Sequence, residues 1–235
     1  MKTLKFTLAF GFTVFLSCLV IFNGQSNALN LDLTQYLTLG STAVRAVAMP
    51  SDFQFDPGPT EPCDEGQYSP FIEDPLDLIA VGEKIWKFVQ DSKPVVKFQS
   101  PLLHVLPRAE KCWVNLENWR MPQASVWEIT YKNQLNMEVA RLRFRILFTS
   151  GGQYQGKGQF LSNITVQPAQ VSVGWGYNLN AQVVAGQAIN RGTKSNPLAG
   201  QELLINWEVK TVVKDIIQSE AFFIQGDGQI TKLKQ

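Results

Sequence analysis

Between Val139 and Phe148 the chain reads Val-Ala-Arg-Leu-Arg-Phe-Arg-Ile-Leu-Phe, with Ala140, Leu142, Phe144, Ile146 and Phe148 at the even positions and Arg141, Arg143 and Arg145 at odd ones. Successive side chains of a strand point to opposite faces, so this is a strand with one face in a core and one basic face. Upstream, Ser125 to Lys132 alternates in the same way, with Trp127, Ile129 and Tyr131 on one side and Val126, Glu128, Thr130 and Lys132 on the other. A turn around Leu135-Asn136 joins the two. Placing Trp127, Ile129 and Tyr131 opposite Phe144, Leu142 and Ala140 matches apolar with apolar and sets Glu128 against Arg143; a slip of one residue puts the aromatics against arginines.

After Gly151-Gly152 the same logic expects a three-residue loop, Gly151-Gly152-Gln153, and a return strand with Gly156, Gly158, Phe160 and Ile164 opposite Phe148, Ile146, Phe144 and Ala140. Val171 to Val183 is read as one further alternation. A polar loop spans Gly186 to Gly200, Leu203 to Val213 alternates again, and Ser219 to Gln225 and Gln229 to Leu233 close the chain around Asp227-Gly228. Val95 to Phe98 and Leu102 to Leu106, broken by Pro101 and closed by Pro107, suit an edge strand. About eight strands, each with one apolar face, predict an antiparallel β-sandwich or half-open barrel over 93–235. Bulky aromatics on the apolar face suit a packed core better than the lipid face of an outer-membrane barrel.

The N-terminal part follows other rules. Lys2 and Lys5, an apolar run from Phe6 to Phe22 and small residues at Ser26 and Ala28 describe a signal peptide over 1–28; an uncleaved anchor is the competing reading, and Cys18 makes a poor lipoprotein box. Residues 29–92 are expected to be a helical and acidic-loop region. Leu31 to Met49 has partial helical spacing. From Pro50 to Glu73 there are five prolines and no lysine or arginine, which reads as a solvated linker without the carboxylate order of a calcium loop. Asp74-Pro75 then caps a helix expected over about 74–92, with Leu78, Ile79, Gly82, Ile85, Trp86 and Val89 as its apolar stripe, packed on or against the end of the sheet.

Export leaves 19 of the 21 basic residues, without Lys2 and Lys5, against 20 acidic ones. This near-neutral balance gives no pull on nucleic acid. Cys63 and Cys112 then remain as an even pair, expected to form a disulfide in an oxidising periplasm or extracellular space. No metal or cofactor site is expected. His104 is the single histidine and lies in an apolar run, and no nucleophile, phosphate-loop or carboxylate motif is present, so the chain reads as a non-enzyme. Binding chemistry is better represented. Trp113, Asn115, Trp119 and Arg120 form an irregular segment of the kind that carbohydrate or peptide platforms use, although the pair of tryptophans also suits the end of the core. Arg141, Arg143 and Arg145 are either an anion site or half of a salt-bridged outer face.

The function expected is therefore an exported binding or interaction protein whose partner is a protein or glycan at a cell surface. Membrane contact is a further option. The second reading is a pore-forming or membrane-inserting β protein, because Gln159 to Val184 alternates apolar residues with Ser, Asn, Gln and Thr; the third is a hydrolase without a motif.

Overall fold

Strands β4 (Gln123–Asn133) and β5 (Glu138–Tyr154) pair in the register that matches apolar with apolar: Trp127 faces Phe144, Ile129 faces Leu142, Tyr131 faces Ala140 and Glu128 faces Arg143. Asn136, at positive φ, turns the hairpin. The computed structural model describes residues 33–49, 78–90, 94–110 and 112–234, and for 79–90 the backbone only. The expected signal peptide, the acidic loop, Cys63 and Asp74-Pro75 lie outside them.

The fold is mainly β, a curled mixed sheet that forms a half-open barrel. The other strands are β1 (Leu39–Val47), β2 (Leu78–Gln90), β3 (Val96–Pro107), β6 (Lys157–Val173), β7 (Asn178–Asn190), β8 (Ala199–Lys210), β9 (Asp215–Gln225) and β10 (Ile230–Lys232). Their order is β1-β4-β5-β6-β3-β7-β8-β9-β10, with β2 paired to β3. Each half turns one face inward. Phe144 and Phe222 pack edge to face at 6.1 Å, and Trp127 and Phe222 at 4.8 Å, so the core is aromatic across the two halves. Trp207 donates its indole N–H to the Tyr131 hydroxyl at 2.5 Å, and Tyr131 donates to Gln218 Oε1 at 2.7 Å. These bonds span the opening between β1 and β9, where Thr42, Val44, Ile217, Gln218 and Lys232 line a space of about 500 Å³.

Several sequence expectations give way here. The helix over 74–92 is instead strand β2, antiparallel to β3 from Leu78↔Pro107 to Gln90↔Val96. A bulge between Gly82 and Lys84 interrupts its alternation, so the apolar residues fall at three- and four-residue intervals; its Ile, Val, Trp and Phe content favours a strand. Likewise the helix begun at Leu33 stops at Leu37. From Leu39 the β-branched Thr42, Val44 and Val47 run alongside β4, and a Cβ at Gly40 would sit 2.7 Å from the Asn133 carbonyl. Pro101 does not make β3 an edge, because it falls between the residues registered with β7 (to Gln99) and those registered with β6 (from Leu103).

The β5–β6 turn is not Gly151-Gly152. It lies at Gln155-Gly156, both at positive φ, with Tyr154 opposite Lys157, so Phe144 meets Pro168 and Ile146 meets Val166. The alternation Val171 to Val183 also breaks, at Gly174-Trp175-Gly176, where Gly176 has φ +83° and the chain reverses into β7.

Tyr131→Phe leaves the buried Trp207 N–H without its acceptor and is expected to cost about 1–3 kcal/mol. The check is a lower denaturation midpoint at unchanged m-value.

Candidate functional site

The tryptophan segment is drawn down onto β5. Residues Trp113–Asn115 form a single 3-10 turn after Cys112, which is disulfide-bonded; Cys63, its expected partner, lies outside the described residues. Trp119 donates its indole N–H to the Trp113 carbonyl at 3.1 Å, and the two rings meet edge to face at 6.5 Å. The Trp119 ring lies on Gly152, where a Cβ would fall 2.4 Å from it. Gly151-Gly152 is therefore the bare floor under this tryptophan. Both rings pack against a small cluster of Leu106, Leu116 and Phe160. Asn115 donates to Glu110 at 2.9 Å, and Arg120 donates to the Asp227 carbonyl. Trp119, Asn115 and Arg120 thus each direct a side-chain donor to another group of the protein.

Arg141 and Arg143 meet carboxylates. Glu128 is fully covered and receives two forks: Arg45 Nε and Nη2 on one oxygen at 3.1 and 2.6 Å, and Arg143 Nε and Nη2 on the other at 3.1 and 2.7 Å. Its cover consists of these guanidinium groups and not of deep burial, since Arg45 remains exposed. Burial raises the Glu128 pKa, but the bonds to Arg45 and Arg143 and the charges of Arg45 and Arg141 outweigh it, leaving the carboxyl below its ordinary 4.5. Arg141 pairs with Glu138 at 2.5 Å. Arg145, between Val126 and Gln167, occupies the same outer face.

His104 is buried. Its Nδ1 accepts from the backbone N–H of Asn163 at 3.3 Å and lies 2.9 Å from Ser162 Oγ. Ser162 and Asn163 form an irregularity in β6 between the residues opposite Leu103 and Val105, with Asn163 at φ 52°, and the imidazole fills it.

A different surface carries unengaged polar groups. On the outer face of β3, β7, β8 and β9, register aligns two rows, Lys97–Asn180–Glu208–Ile217 and Gln99–Gln182–Asn206–Ser219. Most of these residues line an open groove of about 370 Å³. Glu208 is fixed by Lys210 at 2.8 Å and Asn180 at 3.0 Å, and Lys210 followed by Asn180 holds its pKa below the usual value. The side-chain amides of Gln99, Gln182 and Asn206 make no hydrogen bond with the described residues. The alternation already places Asn180, Gln182, Asn206 and Glu208 outward. It gives no sign that Gln99 joins them, because that depends on a parallel β3–β7 pairing between residues about 80 apart in sequence.

Among the described residues no group of acidic, His or Cys side chains suits a metal ion, and no helix is long and apolar enough to cross a membrane.

Glu128 titrates lower folded than unfolded, so its contribution is complete above about pH 4.5 and is lost as pH falls toward its folded value. Stability is expected to fall more steeply with acidification below pH 4.5 in the wild type than in Glu128→Gln, which cannot titrate. Parallel acid titrations of the two proteins by circular dichroism check this.

Comparison with protein-family models, curated proteins and solved structures finds no match, so what these surfaces bind is read from their own chemistry.

Proposed function

We propose that this is an exported, non-enzymatic binding protein that recognises a glycan through the outer-face groove of β3, β7, β8 and β9. The observation that carries the reading is the set of three unengaged amides, Gln99, Gln182 and Asn206, in one row across three adjacent strands. A carboxamide both donates and accepts, as a sugar hydroxyl does, so a row of amides at strand spacing matches a row of hydroxyls. Exposed Ile217 offers an apolar contact for the C–H face of a sugar ring. Lys97 and Glu208 bring one charge of each sign, which favours a neutral ligand over a strongly anionic one. The groove is open, and so suits one segment of a longer chain better than a small enclosed ligand. The Trp113 and Trp119 rings, engaged with β5, are not needed for this contact.

A glycan array probed with the exported protein tests the assignment. Binding is expected for a neutral oligosaccharide. Gln182→Ala and Asn206→Ala each remove about one hydrogen bond, about 0.5–1.5 kcal/mol, and should weaken it several-fold. Trp113→Ala should leave it unchanged. Binding lost in Trp113→Ala and kept in both groove variants would move the site to the tryptophan segment, and an array with no binder would remove the glycan reading.

A further inference from the structure

Register places five segments at one end of the barrel. Leu39 pairs with Asn133, Ala140 with Val173, Asn178 with Lys210, Val96 with Leu179 and Gln90 with Val96, so α1 (Leu33–Leu37), the adjoining ends of β2 and β3 and the β4–β5, β6–β7 and β8–β9 turns lie side by side. Four of them carry exposed apolar side chains: Leu33, Met137, Trp175 at 69% exposure, and Val212 and Val213 at 88% and 50%. These are five of the eleven large apolar residues exposed among the described residues, and they are the ones at turn tips on this end.

The tips are held, not loose. Asn133 Oδ1 accepts from the N–H groups of Leu135 and Met137 at 3.0 and 2.9 Å, while its Nδ2 donates to the Tyr36 carbonyl at 3.1 Å. Tyr36 donates to the Trp175 carbonyl at 3.2 Å, and Tyr177 donates to the Tyr36 carbonyl. Thr211 Oγ1 accepts from Val213 and Lys214 at 3.1 and 2.9 Å. Apolar groups fixed in the solvent-facing position lose little further entropy when a partner covers them.

We infer that this end docks on a lipid bilayer, with Trp175 at the interface and Val212, Val213, Met137 and Leu33 among the headgroups and upper acyl chains. Two observations select a membrane over a protein groove. The apolar groups stand singly on separate turn tips at one end, which suits a flat, yielding surface. Lys132 and Lys214 border them, whereas the nearby acids Glu208 and Asp215 are engaged by Lys210 and Glu138 by Arg141, so the two remaining cations suit anionic headgroups.

The test uses the exported protein with phosphatidylcholine vesicles, with and without phosphatidylglycerol, and with acyl-brominated lipid as quencher. Vesicle binding should be stronger with the anionic lipid, and bromine should quench a tryptophan signal that Trp175→Phe removes. Trp113 and Trp119 lie toward the opposite end, and Trp127 and Trp207 pack in or against the core, so they stay unquenched; Trp86, on β2, is replaced by Phe in every protein compared. Val212→Ser with Val213→Ser, both on an exposed turn, should weaken binding roughly tenfold or more. Absence of vesicle binding, including the case in which this end captures a protein instead, overturns the inference. So does quenching that persists in Trp175→Phe.

Discussion

Strand β3 has to serve two different neighbours, and the barrel depends on how it does so. From Val96 to Gln99 it runs parallel to β7; at Leu103 and Val105 it is antiparallel to β6. No single ladder satisfies both, so side chains complete the change. Ser100 Oγ accepts the Val166 N–H at 2.9 Å, and His104 Nδ1 accepts that of Asn163 at 3.3 Å. Both side chains are buried, where an unpaired N–H costs about 1–3 kcal/mol. The single histidine is thereby tied to the joint, and its placement in an apolar run follows from that task.

The two halves joined at β3 finish their outer faces differently. On β1, β4 and β5 the polar groups satisfy one another: Arg45 and Arg143 close on Glu128, and Arg141 closes on Glu138. A face that saturates its own charges stabilises the sheet and presents little to a ligand. On β7 and β8 only the first row is closed in this way, by Asn180, Glu208 and Lys210, and the next row leaves its amides unpaired. The contrast between a self-satisfied face and an open one is what points toward binding on the second half.

How much of this was legible follows from the range of the interactions. The β4–β5 register could be read because a slip by one residue would have set Trp127 and Tyr131 against arginines; a strong local penalty selected one answer. The arginine–glutamate outer face followed from the same register. Gly151-Gly152 misled because a glycine pair reads as a turn, whereas here the missing side chains admit Trp119 and Arg120 from a loop some thirty residues earlier. Strand β2 misled because one bulge converts a period of two into apparent helical spacing. Gln99 could not be placed at all, since its neighbours are fixed by a parallel pairing that local sequence does not encode.

The groove and the apolar end are linked by geometry. Asn178 and Lys210 terminate β7 and β8 at the apolar end, and the row Lys97–Asn180–Glu208–Ile217 lies two residues further along. At about 3.4 Å per residue the groove begins within roughly 15 Å of the Trp175 turn. A barrel resting on a bilayer by its turn tips stands with its strands rising from the surface, which holds this groove just above the headgroups. If this docking and the proposed glycan binding both hold, ligand reach becomes the deciding constraint, and a glycan carried by a membrane component would meet the amide rows without leaving the surface. In that orientation the opposite end, which carries the Trp113–Trp119 cluster, would face away.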